Sequence, residues 1–501
     1  MKRFLILPLL LIALNAVAAN RYIAPNGNDN NSGTINSPWF SPNKAWQFMQ
    51  PGDTLFVRGG QYLFNDQTQL YLVGRSGTVN NRIVMVNYPG EHPVFSPTIG
   101  YTNNQEHWRG GMYFEGNYAH FKGIEFRNFR YYLPDSANNP FIWRGFYAEK
   151  ANFCLFEKLE FYFNENGFGL QDDSKGNLIL NCDAAYNYHH ASGGGHSDGF
   201  GIGYIFTIDA TNPNIVKGCR SWFNGDDGFD AWMNHGFIIF DSCWSWHNGY
   251  NVYTGAVAGD GNGFKLGRTD ITSTEYRRVL KNCIAYDNKE RGFDKNDAQV
   301  AMQIFNCVAF QNQLAGFAVD NTEGNIFKNN FALNNGGNVN IAYAVSDHNA
   351  CGGSGGNCSN WDLSVSTNDF YTDPSGLTTI RQIDGSLPNI SFLHLKSTAL
   401  QLIDGGVNVG IAYTGLAPDI GAFETGGAPP PPNQAPTANA GPDRNITLPT
   451  NSLTQTGDGS DPDGFITSFL WTKIAGPNTF TIVSPNQAQT VINNLIQGTY
   501  R

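Results

Sequence analysis

The sequence predicts an all-β protein, a parallel β-helix (a β-solenoid), followed by a smaller β module. Three observations predict it: a repeated cysteine–asparagine frame, a repeated Gly-Phe pair, and a composition rich in glycine and aromatic residues. The chain of 501 residues has 57 glycines and 36 phenylalanines, and only 15% of its residues are charged. Frequent turns and stacked rings suit strands better than a helical bundle.

The first element is "MKRFLILPLLLIALNAVAA", residues 1–19. A basic head, a short apolar stretch and small residues at its end read as a secretory signal peptide, so the mature protein is expected to be secreted. No apolar run is long enough for a membrane span. Residues 20–425 are expected to form the β-helix. "PGDTLFVRGGQY" (51–62) is its entry, with a strand after a Pro-Gly turn, and "APDIGAFE" (417–424) its close.

Between these ends lies the repeat. "CDAAYN", "CRSWFN", "CWSWHN", "CIAYDN" and "CVAFQN" place an asparagine five residues after a cysteine: Asn187, Asn224, Asn248, Asn288 and Asn312. Asn164 and Asn335 extend the series, whose steps are 23, 37, 24, 40, 24 and 23 residues. A period near 23 with two longer coils is the signature of a solenoid, in which each coil buries its apolar face only by stacking on its neighbours. Cys182, Cys219, Cys243, Cys283 and Cys307 should then form an internal column of small apolar side chains and not disulfides. Cys351 and Cys358, outside this frame in "CGGSGGNC", are the expected disulfide.

A second column follows each asparagine: Gly167-Phe168, Gly199-Phe200, Gly228-Phe229, Gly263-Phe264, Gly292-Phe293 and Gly316-Phe317. In this register Asp230, Lys265 and Asp294, each just after its phenylalanine, stack on consecutive coils about one strand spacing (~4.8 Å) apart. Asp198 stacks beneath Asp227, with Asp226 and Asp230 close by.

After the β-helix, residues 426–436 are a proline-rich, semi-rigid linker. Residues 437–501, with "GSDPDGFITSFLW", resemble a PKD-type immunoglobulin-like β-sandwich that ends short of its last strand.

Four carboxylates at close quarters cannot all stay ionised without a counter-charge. A hard cation supplies it, and Ca²⁺ takes six to eight oxygen ligands. Asp198, Asp226, Asp227 and Asp230 therefore read as a Ca²⁺ site. Lys265, in the glycine-flanked "GNGFKLG", stands one coil away. A uronate whose carboxylate sits on a cation has an acidified C5 proton, and a base beside it can abstract that proton with loss of the C4 oxygen. Lysine acts as a base only when neutral, so its neighbours Asp230 and Asp294, which raise its pKa, pose a tension. An alkaline optimum is the expectation. Arg268, Arg277, Arg291 and Lys295 are candidates for binding further substrate carboxylates, and His196 for lining the groove.

"SDGF" (197–200), "NGDDGFD" (224–230), "GNGFKLG" (261–267) and "NKERGFDKN" (288–296) together resemble the family 9 polysaccharide lyases, pectate lyases among them. That resemblance implies a right-handed parallel β-helix, Ca²⁺ on Asp198, Asp226, Asp227 and Asp230, and Lys265 as the base of a β-elimination on pectate. "GRTD" after Leu266 and the insertion "HHASGGGHSDGFGIG" depart from the pattern and bear on which acidic glycan, such as rhamnogalacturonan, is cut.

A β-helix polygalacturonase would carry Gly-His-Gly and Arg-Ile-Lys segments and a uronate epimerase Asp-Pro-His-Glu; the chain has none of these. The remaining rival is a non-catalytic glycan-binding solenoid. The net charge of −11 argues against nucleic acid as a partner and points to a local device for holding an acidic polysaccharide. A monomer is expected.

Overall fold

The computed structural model describes residues 18–65, 67–98, 110–130, 142–353, 358, 361–425, 436–460 and 469–501. Nearly all of the signal peptide, nearly all of the proline-rich linker and much of "GSDPDGFITSFLW" lie outside them. The boundary between two compact units falls between Thr425 and Gly426, with Gly410–Thr414 counted with the second.

In the first unit each coil contributes one short strand to each of three parallel sheets. Two of these sheets have twelve strands and the third ten, among the described residues. One coil shows the pattern: Asn214–Lys217 in the first sheet, Arg220–Trp222 in the second, Phe229–Asp230 in the third, the ten-stranded one. The chain then returns to the first sheet at Ile238–Asp241, one coil further on. This is a parallel β-helix, as the asparagine period predicts.

Two internal ladders hold the coils in register. Asn164, Asn187, Asn224, Asn248, Asn288, Asn312 and Asn335 are buried at one corner. The side-chain amide of each of Asn187, Asn224, Asn248, Asn288 and Asn312 donates to the Oδ1 of the next asparagine at 2.8–3.0 Å. The backbone N–H groups donate to the same oxygens, so every turn at this corner has its polar groups satisfied inside the protein. The glycine column is where this ladder crosses the coil. A Cβ on Gly228 would lie 2.0 Å from Ser245 Oγ and 2.9 Å from the Asn248 amide nitrogen. Glycine is needed there for close approach.

The phenylalanines form the second ladder. Phe200, Phe229, Phe264, Phe293 and Phe317 are fully buried, with successive ring centroids 4.7–5.1 Å apart and rings within 13° of parallel. The five cysteines of the frame are free and buried, as expected. Cys154, also free and buried, precedes a strand of the first sheet and so belongs to a different column. Cys351 and Cys358 form a disulfide.

Ile284, whose side chain alternates with the inward-facing Cys283 and Ala285 and so points out of the coil, is 1% exposed. The reason is tertiary: after the last coil the chain runs back over the second sheet. There Phe370, Leu377, Phe392, Leu402 and Ile420 pack on Trp222, Trp244, Ile284 and Phe310. Arg381 anchors this segment through an ion pair with Asp183, which Arg220 also holds. A five-residue helix, Pro42–Trp46, buries Trp46 against Phe114 and Phe121 near the other end.

The second unit contains two small antiparallel sheets, Thr437–Asn439 with Asp458–Ser460, and Leu453–Thr456 with Gln489–Asn493 and Thr481–Ile482.

Replacing Asn248 by alanine should leave the Asn224 backbone N–H without its acceptor in the core, while the Asn224 amide keeps the Ser221 hydroxyl and the Ala184 carbonyl. A loss of roughly 1–3 kcal/mol is expected by denaturant titration. Hydrogen exchange should quicken first at Asn224; a uniform, small change would refute the ladder's role.

Candidate active site

The ten-stranded sheet builds the site, because its strands carry one side chain inward and the next outward. Phe229, Phe264 and Phe293 point into the core, so Asp230, Lys265 and Asp294 face outward. These three pair in direct register, Asp230 with Lys265 and Lys265 with Asp294, while Gly201 lies opposite Asp230 on the preceding coil. The residues before the glycines stack as well, since the Gly199 N–H donates to the Asp227 carbonyl and the Gly228 N–H to that of Asn262. The register read from the sequence is the one observed.

Asp198, Asp226 and Asp227 are buried and each offers a carboxylate oxygen within 4.8 Å of the others'. Asp226 accepts the N–H groups of His196 and Asp260, each at 2.6 Å. Two loops thus close on it, one from each of the two long coils. Asp227 Oδ1 accepts from the backbone and side chain of Asn262, at 2.7 and 2.9 Å. Its Oδ2 is buried and makes no hydrogen bond; it lies 2.9 Å from Lys265 Nζ. Asp198 accepts from the Asn166 amide and from the Asp227 N–H, and Asp230 from the Trp232 N–H.

Lys265 is 6% exposed. Its Nζ lies 3.0 Å from Asp260 Oδ2 and 4.0 Å from Asp230 Oδ2, and 5.4 Å from the centre of the Trp232 ring. Burial alone would lower its pKa, but Asp227, Asp230, Asp226 and Asp198 together hold it well above the ordinary lysine value. Burial pushes Asp226 up to about 8, with Asp227 adding to the shift, and Asp230 up to about 7. Asp198 is raised by burial and by Asp230, Asp226 and Asp227. The donor set is oxygen only, and the negative charge exceeds what one lysine balances. These residues fit a hard divalent cation.

Of the basic residues proposed from the sequence, Arg268 shares the Trp232 ring with the lysine, its guanidinium carbon 5.5 Å from the ring centre. Arg291 pairs with Asp294 and Glu290, and Lys295 with Asp320. Arg277 is not brought to this group: it belongs to a strand of the first sheet, buried, bonded to the His235 carbonyl and paired with Glu275. His196 contributes its backbone, and burial lowers the pKa of its ring.

Three residues escaped the sequence reading. Asp260, within the same "GDGNGFKLG" stretch as the lysine, lacked a repeat position to mark it. Trp232, two residues after Asp230, likewise occupies no repeat position that marks it. Arg278, fully buried, donates to the carbonyls of Leu266, Gly236, Arg277 and Asn234, and so braces the turn that follows Lys265. No periodicity could have distinguished it from its exposed counterparts.

A family model described as "Pel9A-like, right handed beta helix region" matches residues 21–349. The chain belongs to the Pel9A-like right-handed β-helix family. A second model, that of a PKD domain, matches residues 440–501. Pectate lyase L of Dickeya chrysanthemi is 30% identical over 424 residues, 80% of this chain and 90% of that protein. Pectate lyase PEL9 of Emericella nidulans is 29% identical over 308 residues, 56% of this chain and 70% of that protein. The crystal structure of pectate lyase Pel9A aligns with a TM-score of 0.63 at 26% identity, over 82% of this chain and 97% of that one. This Pel9A-like chain is thus an enzyme, a polysaccharide lyase. No helix among its described residues is long and apolar enough to cross a membrane.

The raised carboxyl groups make a signed prediction. Between the ordinary aspartate pKa and about 7 to 8, the folded state binds more protons than the unfolded one, so stability should fall as pH rises through that window. Lys265 stays charged throughout and does not offset this. In chelator, the melting temperature should drop between pH 5 and 8, and Asp230→Asn should flatten the slope. An identical slope in the variant would contradict the assignment.

Proposed function

We propose that this chain is a secreted, Ca²⁺-dependent lyase that cleaves a uronic-acid polymer, most simply polygalacturonate, by β-elimination, with Lys265 as the base. The observation that carries the reading is the direct stacking of Lys265 on Asp230, with Nζ 2.9 Å from Asp227, inside a group of buried carboxylates. The pectate lyase relatives support the choice of polymer.

Asp198, Asp226, Asp227 and Asp230 would hold the cation, which when bound offsets their charge and polarises a substrate carboxylate. Asp226 and Asp227 are held in place by the N–H groups of His196, Asp260 and Asn262, so their oxygens converge before any ligand arrives. Lys265 takes the C5 proton on Nζ. The C5–H electrons form the C4–C5 double bond, and the C4–O bond breaks with its electrons on the leaving oxygen, which water protonates. Lys265 must shed its own proton first, and the carboxylates that raise its pKa oppose this until their charge is balanced. Asp260, 61% exposed at its side chain, is the partner able to swing away. The 1–19 segment as a signal peptide, the 20–425 catalytic domain, the 426–436 linker and a monomeric state complete the proposal. The C-terminal PKD module, 437–501, would attach the enzyme to a surface or substrate.

Two measurements test it. On polygalacturonate, ultraviolet absorbance of the unsaturated product should rise with Ca²⁺ and stop with chelator, and Lys265→Ala should lower kcat by about 10³-fold or more. New reducing ends without absorbance would indicate hydrolysis and refute the mechanism. Calorimetry should show Ca²⁺ binding tightening as pH rises from 6 to 9, because protons on Asp226 and Asp230 compete with the cation. Affinity independent of pH would remove these aspartates from the site.

A further inference from the structure

We infer that Trp232 and Arg268 form the substrate subsite next to Lys265, where the indole supports a sugar ring and the guanidinium takes the free carboxylate of a uronate residue. On this reading the pair senses whether that residue is esterified. The inference deepens the lyase proposal and rests on it.

The geometry comes from two adjacent turns that follow the site strands. Trp232 lies two residues after Asp230, and its N–H is held by Asp230 Oδ1 at 2.8 Å. Its ring has Lys265 Nζ at 5.4 Å and the Arg268 guanidinium carbon at 5.5 Å. Arg268 reaches the ring because Gly267 lets the chain pass tightly over the coil below. Gly267 has φ +103°, and a Cβ there would lie 2.2 Å from the Ala231 carbonyl oxygen.

Arg268 differs from the neighbouring basic residues in its partners. Arg277 pairs with Glu275, Arg291 with Glu290 and Asp294, Lys289 with Glu290, and Lys295 with Asp320. Arg268 is exposed and has no acidic partner among the described residues. An exposed guanidinium already stacked on an indole keeps its planar fork oriented and loses little freedom on taking a carboxylate in two parallel hydrogen bonds. In a chain of net charge −11, a fixed cation beside the reacting base is a place for an anionic group of the substrate. Methyl esterification removes both the charge and one acceptor geometry, so Arg268 should favour the free acid. One coil earlier Tyr204 is 45% exposed, and its N–H donates to the Trp232 carbonyl at 2.9 Å, continuing the aromatic row.

The test uses the full chain with saturating Ca²⁺, comparing wild type, Arg268→Ala, Arg268→Lys and Trp232→Ala on unesterified and partly methyl-esterified polygalacturonate. Arg268→Ala should raise KM on the unesterified polymer on the order of 10- to 100-fold, with the loss in KM more than in kcat. It should also narrow the preference in kcat/KM for unesterified over esterified substrate. Arg268→Lys should recover part of both, and Trp232→Ala should resemble Arg268→Ala. Unchanged KM and unchanged preference in Arg268→Ala would overturn the subsite.

A binding arm separates this from failure of the lyase reading. An unesterified oligogalacturonate is titrated by calorimetry into Lys265→Ala and into Lys265→Ala with Arg268→Ala. Weaker binding in the double variant supports the subsite even if wild type gives no ultraviolet product, an outcome that would sink the lyase proposal alone. Equal binding in the two would overturn the subsite.

Discussion

The stacking of one coil on the next, at the spacing of hydrogen-bonded parallel strands, is the constraint on which everything else depends. Residues far apart in sequence become neighbours only because the asparagine ladder and the phenylalanine stack forbid any slip between coils. The asparagines do this with hydrogen bonds from one coil to the next, and the rings by near-parallel contact. A shift by one residue would turn Asp230 and Lys265 inward and expose their phenylalanines, at the cost of burying charge and hydrating apolar surface together. Register is therefore strongly specified, and the site inherits its precision from the core.

The same stacking creates an electrostatic problem that the site exploits. Carboxylates on successive coils are held close and buried, so their protonated forms are favoured and Lys265 is held charged among them. Such an arrangement is poor for stability alone, since buried like charges repel. Its persistence on a rigid sheet, with loops from both long coils bonded to Asp226, is understood if the cluster is shaped for an ion and an anionic polymer.

The two longer coils show how a repeat acquires function. The extra residues in them supply the His196 and Asp260 N–H groups that orient Asp226, and Asp260 itself, which engages Lys265. A solenoid tolerates such insertions because they leave the strands, and hence the stacking, unchanged. What varies lies on the surface around a constant frame.

Much of this was legible in the sequence, for a physical reason. In a solenoid, spatial neighbours are residues one coil apart, so the cysteine–asparagine frame together with the repeated Gly-Phe pair placed Asp230, Lys265 and Asp294 in one column and Asp198 under Asp227. Burial of the five cysteines followed from the same frame. Sequence could not foresee what depends on side chains converging from outside the period. The C-terminal segment that buries Ile284, the Asp260 partner of Lys265, the buried Arg278 and the meeting of Trp232 with Arg268 all arise from turns and packing that no repeat encodes. Arg277, grouped with the site by nearness in sequence, went to another sheet because its strand belongs there. The period determined the frame; tertiary packing decided which side chains meet around the lysine.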